Sequence, residues 1–225
     1  MAKLNKTETA TKRSRPVIVV TRESKETKIQ VELELSPGIS SISTGIGFLD
    51  HLLSSLACHA GWTLRIECKG DIEVDDHHSV EDCAITLGLA LREALGDRGA
   101  IRRFGSAFAP MDEALARAIV DISGRPFCDA SLQLQRETIG ELASENIVHF
   151  FHSFAANAGI TVHIDLLKGS NDHHKAEAAF KALALALREA LAPAYAPTDI
   201  DNSAAGEIAA STKGAAVIRI SRKTE

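Results

Sequence analysis

What the chain lacks sets its first limits. No uninterrupted apolar run in its 225 residues approaches the roughly 18 needed to cross a bilayer, so no membrane partner is expected. The basic N-terminal stretch carries no apolar segment of the kind a secretory signal requires. The four cysteines (Cys58, Cys68, Cys83 and Cys128) form no C-x-x-C pair. Isolated thiols of this sort suit a reducing cytosol, where they act as small apolar residues, and a cytoplasmic protein is expected. Excess positive charge is missing as well. The net charge is −5, and residues 1–16 hold five basic side chains (Lys3, Lys6, Lys12, Arg13 and Arg15) against Glu8 alone. The remainder carries 20 basic and 29 acidic residues, or −9. That balance argues against nucleic acid as a partner, because such affinity comes from neutralising phosphates. Residues 1–16 read as a disordered basic tail.

The bulk composition is that of a globular chain, 45% hydrophobic and 24% charged. At this length folding buries roughly 70% of the unfolded surface, enough for a core without disulfide staples. The most informative feature is internal repetition. Asp76 to Leu95 (DHHSVEDCAITLGLALREAL) and Asp172 to Leu191 (DHHKAEAAFKALALALREAL) share twelve of twenty positions at a constant offset of 96. Upstream, His51 in DHLLSSLACHAGWTLRI aligns with His149 in VHFFHSFAANAGITVHI at offset 98. Ser55 then pairs with Ser153, Gly61 with Gly159, Thr63 with Thr161 and Ile66 with Ile164. A weaker match joins Glu26–Ser36 to Glu113–Ser123.

Each copy carries the same local signals. Residues 28–35 alternate as a half-buried strand does. Residues 46–59 and 145–157 place apolar side chains at helical spacing, with Gly61 and Gly159 where a helix C-cap falls. Strands are expected over 62–68 and 160–167, and long helices over 77–96 and 173–192. The expected fold is α+β: two repeats, 17–100 and 101–195, with four central helices flanked by two mostly four-stranded sheets. Residues 196–225 form a C-terminal segment.

The duplicated motif is also the chemistry. Asp76-His77-His78-x-x-Glu81 recurs as Asp172-His173-His174-x-x-Glu177. On a helix each His–Glu pairing is i,i+4 or i,i+3 and lies on one face. Adjacent histidines point about 100° apart, so one pair hardly shares a metal. The sequence suggests two metals, each taking one histidine from each pair. Imidazole with carboxylate and no thiolate favours Mn, Fe or another octahedral ion over structural zinc. His51 and His149, equivalent under the repeat, are the best further ligands. His152 and His163 align with Ser54 and Arg65 in the other copy and read as surface residues or as residues that contact the ligands without binding metal. His59, in a last helical turn, reads either as a dipole-favoured imidazole or as a substrate contact.

The stretches TGIGFLDHLL (44–53), GDIEVDDHHSVEDCAITLG (70–88), PMDEALARAIVDISGRP (110–126), VHFFHSFAANAGIT (148–161), NDHHKAEAAFKAL (171–183) and STKG (211–214) resemble imidazoleglycerol-phosphate dehydratases. The resemblance implies dehydration of D-erythro-imidazole glycerol phosphate to imidazole acetol phosphate in histidine biosynthesis. It also implies Mn2+ (two per active site), halves like ribosomal protein S5 domain 2, and a 24-mer with sites between subunits. The implied metal ligands are His51, His77, His78, Glu81, His149, His173, His174 and Glu177. Glu26 resembles the family's substrate-contacting glutamate and is the candidate acid/base; Glu113, its possible counterpart in the second copy, is next, followed by Glu81 and Glu177. Arg103, Arg125, Lys181, Ser211, Thr212 and Lys213 are the implied phosphate contacts, and Arg and Lys are apt partners for a dianion.

The chemistry needs such residues. The hydrogen removed sits on a carbon bearing a hydroxyl and is not acidic. Metals on both ring nitrogens would hold the imidazole as its anion, whose electrons can expel the neighbouring hydroxyl. A base must then take the C–H proton and an acid must assist the hydroxyl. Three departures stand out: Ser55 replaces a polar amide, His152 replaces a common Glu, and residues 215–225 extend beyond STKG. Two other classes compete, a dinuclear phosphoester hydrolase and a non-enzymatic metal-storage shell. The first normally bridges its ions with aspartates, and no Asp cluster beyond Asp75–Asp76 is present.

Overall fold

The computed structural model describes residues 16–96, 98 and 101–194; the basic tail and the STKG segment lie outside them. The first half runs β1 (Ile18–Glu23), β2 (Thr27–Glu34), β3 (Ser41–Ser43), α1 (Gly47–Ala60), β4 (Thr63–Gly70) and α2 (His77–Leu95). The second runs β5 (Phe104–Met111), β6 (Ala114–Asp121), β7 (Phe127–Ser131), the two-residue pair β8 (Thr138–Ile139) and β9 (Leu142–Ala143), α3 (Ser144–Ala158), β10 (Thr161–Lys168) and α4 (Asp172–Ala190). The alternating stretch at 28–35 is β2, and β6 occupies the same span shifted by 87 residues.

The strands form two four-stranded mixed sheets, ordered β1-β2-β4-β3 and β5-β6-β10-β7. In each, the first three strands are antiparallel and the last joins in parallel. Alternation fixes which side is covered. Ile29, Val31 and Leu33 of β2 and Ala116, Ala118 and Val120 of β6 are fully or almost fully buried. Helix α2 packs on the first sheet and α4 on the second, while α2 meets α3 and α1 meets α4. The result is sheet, two helices, two helices, sheet, with one core running through the middle.

Side-chain size sets the spacing. Helix α4 is rich in alanine, and β6 answers with Ala114, Ala116 and Ala118, so helix and sheet approach closely. Gly88 does the same between α2 and α3: a Cβ there would lie 2.7 Å from the Phe154 carbonyl oxygen. The centre is filled by Phe150, Phe151, Phe154 and Phe180, whose rings pack at centroid distances of 4.7–6.1 Å, Phe150 stacked on Phe154 and edge-on to Phe151. Helix ends are fixed locally. Gly61 and Gly159 adopt left-handed φ of 72° and 66° at the C-caps of α1 and α3, the conformation glycine enters at least cost.

Candidate metal centre

The two HH motifs stand at the N-terminal turns of α2 and α4 because the caps differ in kind but agree in effect. Asn171 accepts hydrogen bonds from the His173 and His174 backbone N–H groups, whereas Asp75 accepts from His77 N at 2.8 Å. Asp76, the first residue of the motif, is drawn away from capping. Its oxygens accept from Ala143 N and Asn146 Nδ2 at 2.7 and 2.8 Å, binding α2 to the start of α3. Its counterpart Asp172 is 3% exposed and accepts from Gln135 N, Arg136 N and Lys175 Nζ, each at 2.7 Å. The aspartate of each motif is therefore a structural clamp.

Six of the eight expected ligands converge into two groups, each with its ligand atoms within 4.8 Å of one another. In the first, His51 Nε2 of α1 and His173 Nε2 of α4 lie 3.1 and 3.3 Å from Glu177 Oε2. In the second, His149 Nε2 of α3 lies 3.0 Å from Glu81 Oε1 of α2, and the His77 and His149 rings are 4.7 Å apart. Each group thus takes a histidine and a glutamate from one half and a histidine from the other. Neither combines histidines from both HH pairs, the sharing that the sequence suggests.

His78 and His174 stand outside both groups and resemble each other. His78 Nδ1 is 3.1 Å from Asp71 Oδ1, with Nε2 3.9 Å from Glu26 Oε1. His174 Nδ1 is 2.7 Å from Glu113 Oε2, with Nε2 3.7 Å from Asp112 Oδ2. Hydrogen bonding to the carboxylate raises each imidazole's pKa, through Asp71 and Glu113 respectively. Glu113 is held well below the usual carboxylate range by His174 and by the Asn171 and Ser170 backbone N–H groups. Glu26 sits in the turn between β1 and β2, immediately before Thr27.

The donor sets fit a divalent ion. Two imidazoles and a carboxylate suit an octahedral first-row metal with positions left open. Glu177 is 7% exposed; burial alone would raise its pKa, but Lys181 and His51 draw it down to about 2. It is therefore a fixed anion at neutral pH, as a metal ligand must be. The Ser55 Oγ, one turn from His51, is buried without a partner.

The imidazoleglycerol-phosphate dehydratase family model matches residues 44–187. Curated imidazoleglycerol-phosphate dehydratases of Candida glabrata and Saccharomyces cerevisiae are 52% and 53% identical over 193 and 169 residues; the matches cover 77% and 75% of this chain and 92% and 77% of theirs. The Phytophthora nicotianae protein of that name is 58% identical over 76% of this chain, but the match spans only 38% of its own length. The chain belongs to the imidazoleglycerol-phosphate dehydratase family. The Staphylococcus aureus dehydratase structure superposes with a TM-score of 0.73 at 39% identity, covering 79% of this chain and 99% of that one. The Pyrococcus furiosus family structure, solved in complex with (S)-C348, gives 0.69 at 39% identity over 77% and 93%.

The remaining site candidates of this dehydratase-family chain fall in three places. Arg103 pairs with Asp121 (Nε to Oδ1 2.7 Å) and lies 4.8 Å over the Phe104 ring. Arg125 is exposed, with Nη2 3.9 Å from Asp121, so these two arginines share one carboxylate. Lys181 Nζ stands on Glu177 Oε1 at 2.7 Å. Ser211, Thr212 and Lys213 lie outside the described residues. His59 is half-buried in the last turn of α1, while His152 and His163 are exposed. No described helix is long and apolar enough to cross a membrane. Sequence reasoning missed Asn146, Asp71 and Ser153, whose Oγ lies 3.3 Å from His149 Nε2. The repeat could have exposed only Ser153, through its pairing with Ser55.

Proposed function

We propose that the chain is a cytoplasmic hydro-lyase that converts D-erythro-imidazole glycerol phosphate to imidazole acetol phosphate in histidine biosynthesis. One observation carries the reading: two His-His-Glu groups, each within 4.8 Å, in a chain of this family. Each group would hold one Mn2+, two per active site, with His78 and His174 as the further ligands at sites between subunits of a 24-mer. Bound there, the ions would supply Lewis acidity to both nitrogens of the substrate's imidazole ring.

The chain's own residues do the rest. Glu26 moves the protons: its carboxylate is 53% exposed and faces His78 without a close hydrogen bond, so it can accept and release one. Glu81 and Glu177 are already engaged by histidines, and Glu177 stays ionised, which suits ligation better than acid catalysis. Arg103, Arg125 and Lys181, with Ser211, Thr212 and Lys213, bind the phosphate and fix the reacting carbon. The halves 17–100 and 101–195 are copies of one unit like ribosomal protein S5 domain 2, a reading supported by the matched sheet orders. Residues 196–225 carry the substrate loop. A dinuclear phosphoester hydrolase is disfavoured, since neither group contains an aspartate.

Incubating Mn2+-loaded protein with imidazole glycerol phosphate should produce the ketone, imidazole acetol phosphate. Release of inorganic phosphate with no ketone would overturn the proposal.

A further inference from the structure

The two groups look alike in their ligands and differ in what stands behind them. The repeat sets Ile85 opposite Lys181, each one turn beyond its glutamate and each half-buried. Lys181 Nζ is 2.7 Å from Glu177 Oε1 and 3.3 Å from Met111 Sδ, with its side chain only 19% exposed. Its ammonium is thus held at the group. Ile85 brings no charge to Glu81. A second exchange lies upstream, where the repeat aligns Phe48 with Asn146. Asn146 Oδ1 takes a hydrogen bond from His77 Nδ1 at 2.8 Å and passes the contact on to Asp76. Phe48 offers no acceptor; its ring packs 4.8 Å from that of His173.

A dication approaching Glu177 meets a carboxylate already neutralised by an ammonium. One approaching Glu81 meets a carboxylate without that compensation. Partly buried charges are screened little by salt, so the difference persists in physiological buffer. The His77 ring is also pre-oriented by its Nδ1 partner, the kind of outer contact whose loss typically weakens metal binding by about 10–100-fold. Both effects point the same way.

We infer that the two groups bind Mn2+ with unequal affinity, the His77–Glu81–His149 group filling first, and that Lys181 is the main source of the difference. The inference rests on the metal reading above and deepens it. Lys181 is in this sense a positioning charge: it leaves room for two ions but sets the order in which they enter.

The experiment titrates the full chain with Mn2+ alone, following the loss of the free-ion EPR signal. His51→Ala, which disables the first group, should retain the tighter site; His149→Ala should retain the weaker, by about tenfold or more. Lys181→Met should tighten the weak site by a similar factor. Ile85→Lys should bring the tight site down to match, a change that mere loss of packing at Lys181 would not mimic. Circular dichroism on each variant confirms that it is folded. Two sites of equal affinity in the wild-type chain, or an unchanged second site in Lys181→Met, would overturn the inference while leaving two metals in place. Absence of any Mn2+ binding would overturn the metal reading and this inference together.

Discussion

Replacing Glu26 by Gln separates proton transfer from everything else the site does. The carboxylate is 53% exposed in the turn between β1 and β2, and its backbone N–H is held by Ser24 Oγ at 3.1 Å. Neither contact needs the negative charge, so stability should change by no more than about 0.5 kcal/mol, the usual range for a surface site. The nearest ligand candidate is His78, 3.9 Å away and itself partly exposed. Between such groups water screens the charge, and Mn2+ affinity should shift by less than about tenfold. Turnover is another matter. A general acid or base contributes about 10²–10⁴-fold, or about 2.7–5.4 kcal/mol of transition-state stabilisation. The expected variant is therefore folded, fully loaded and nearly inactive. Ketone formation, metal content and thermal midpoint should be measured on one preparation. Near-native turnover with both metals bound would remove Glu26 from the mechanism.

The other expectations are briefer. His77→Ala and His173→Ala should lose comparable activity, because each removes one ligand from one of two groups; full activity in either with both metals retained would refute the shared centre. Asp172→Ala strands a buried lysine, since Lys175 is 3% exposed, and should cost about 3–5 kcal/mol on chemical denaturation; a loss under 1 kcal/mol would show that Lys175 finds other partners. In metal-free protein the depressed pKa of Glu177, about 2, contributes stability that is present above its ordinary value near 4.5. That contribution fades as pH falls toward 2, so the gap in thermal midpoint between wild type and Glu177→Gln should shrink over that window. The proposed 24-mer should fall to smaller oligomers on chelation, because the metals proposed to join subunits would stabilise association by mass action; a large particle that persists without metal in sedimentation would refute this.

Much of the architecture was legible because it is written twice. The helices over 77–96 and 173–192 were visible from apolar spacing and appear as His77–Leu95 and Asp172–Ala190. Gly61 and Gly159 marked the ends of α1 and α3 for a physical reason, the left-handed backbone they adopt there. Less visible were β1, β5 and β7. They lie at sheet edges, and apolar residues also occupy their solvent-facing positions, as the exposed Val19, Phe104, Phe108 and Phe127 show, so burial alternates where the sequence does not. At the site, residue types named the ligands, but grouping them required the fold. Nothing in the spacing of His51 says that it faces Glu177, 126 residues away. The supporting contacts were hidden for the same reason. Asn146 has Phe48 as its aligned residue, so the repeat that exposes His149 conceals the neighbour that fixes His77.

The crossing of ligands between halves has a consequence for the chain as an indivisible unit. Helix α1 gives His51 to α4, and α3 gives His149 to α2, a reciprocal exchange. A fragment ending after α2 would own His51, His77 and Glu81 yet complete neither group, and the complementary fragment would fail in the mirror sense. Two separate pieces could complete both groups only by embracing, each lending one imidazole and borrowing another. Joined in a single chain, the loan no longer depends on concentration. The peptide link between the halves makes permanent a partnership that free fragments would have to find by diffusion.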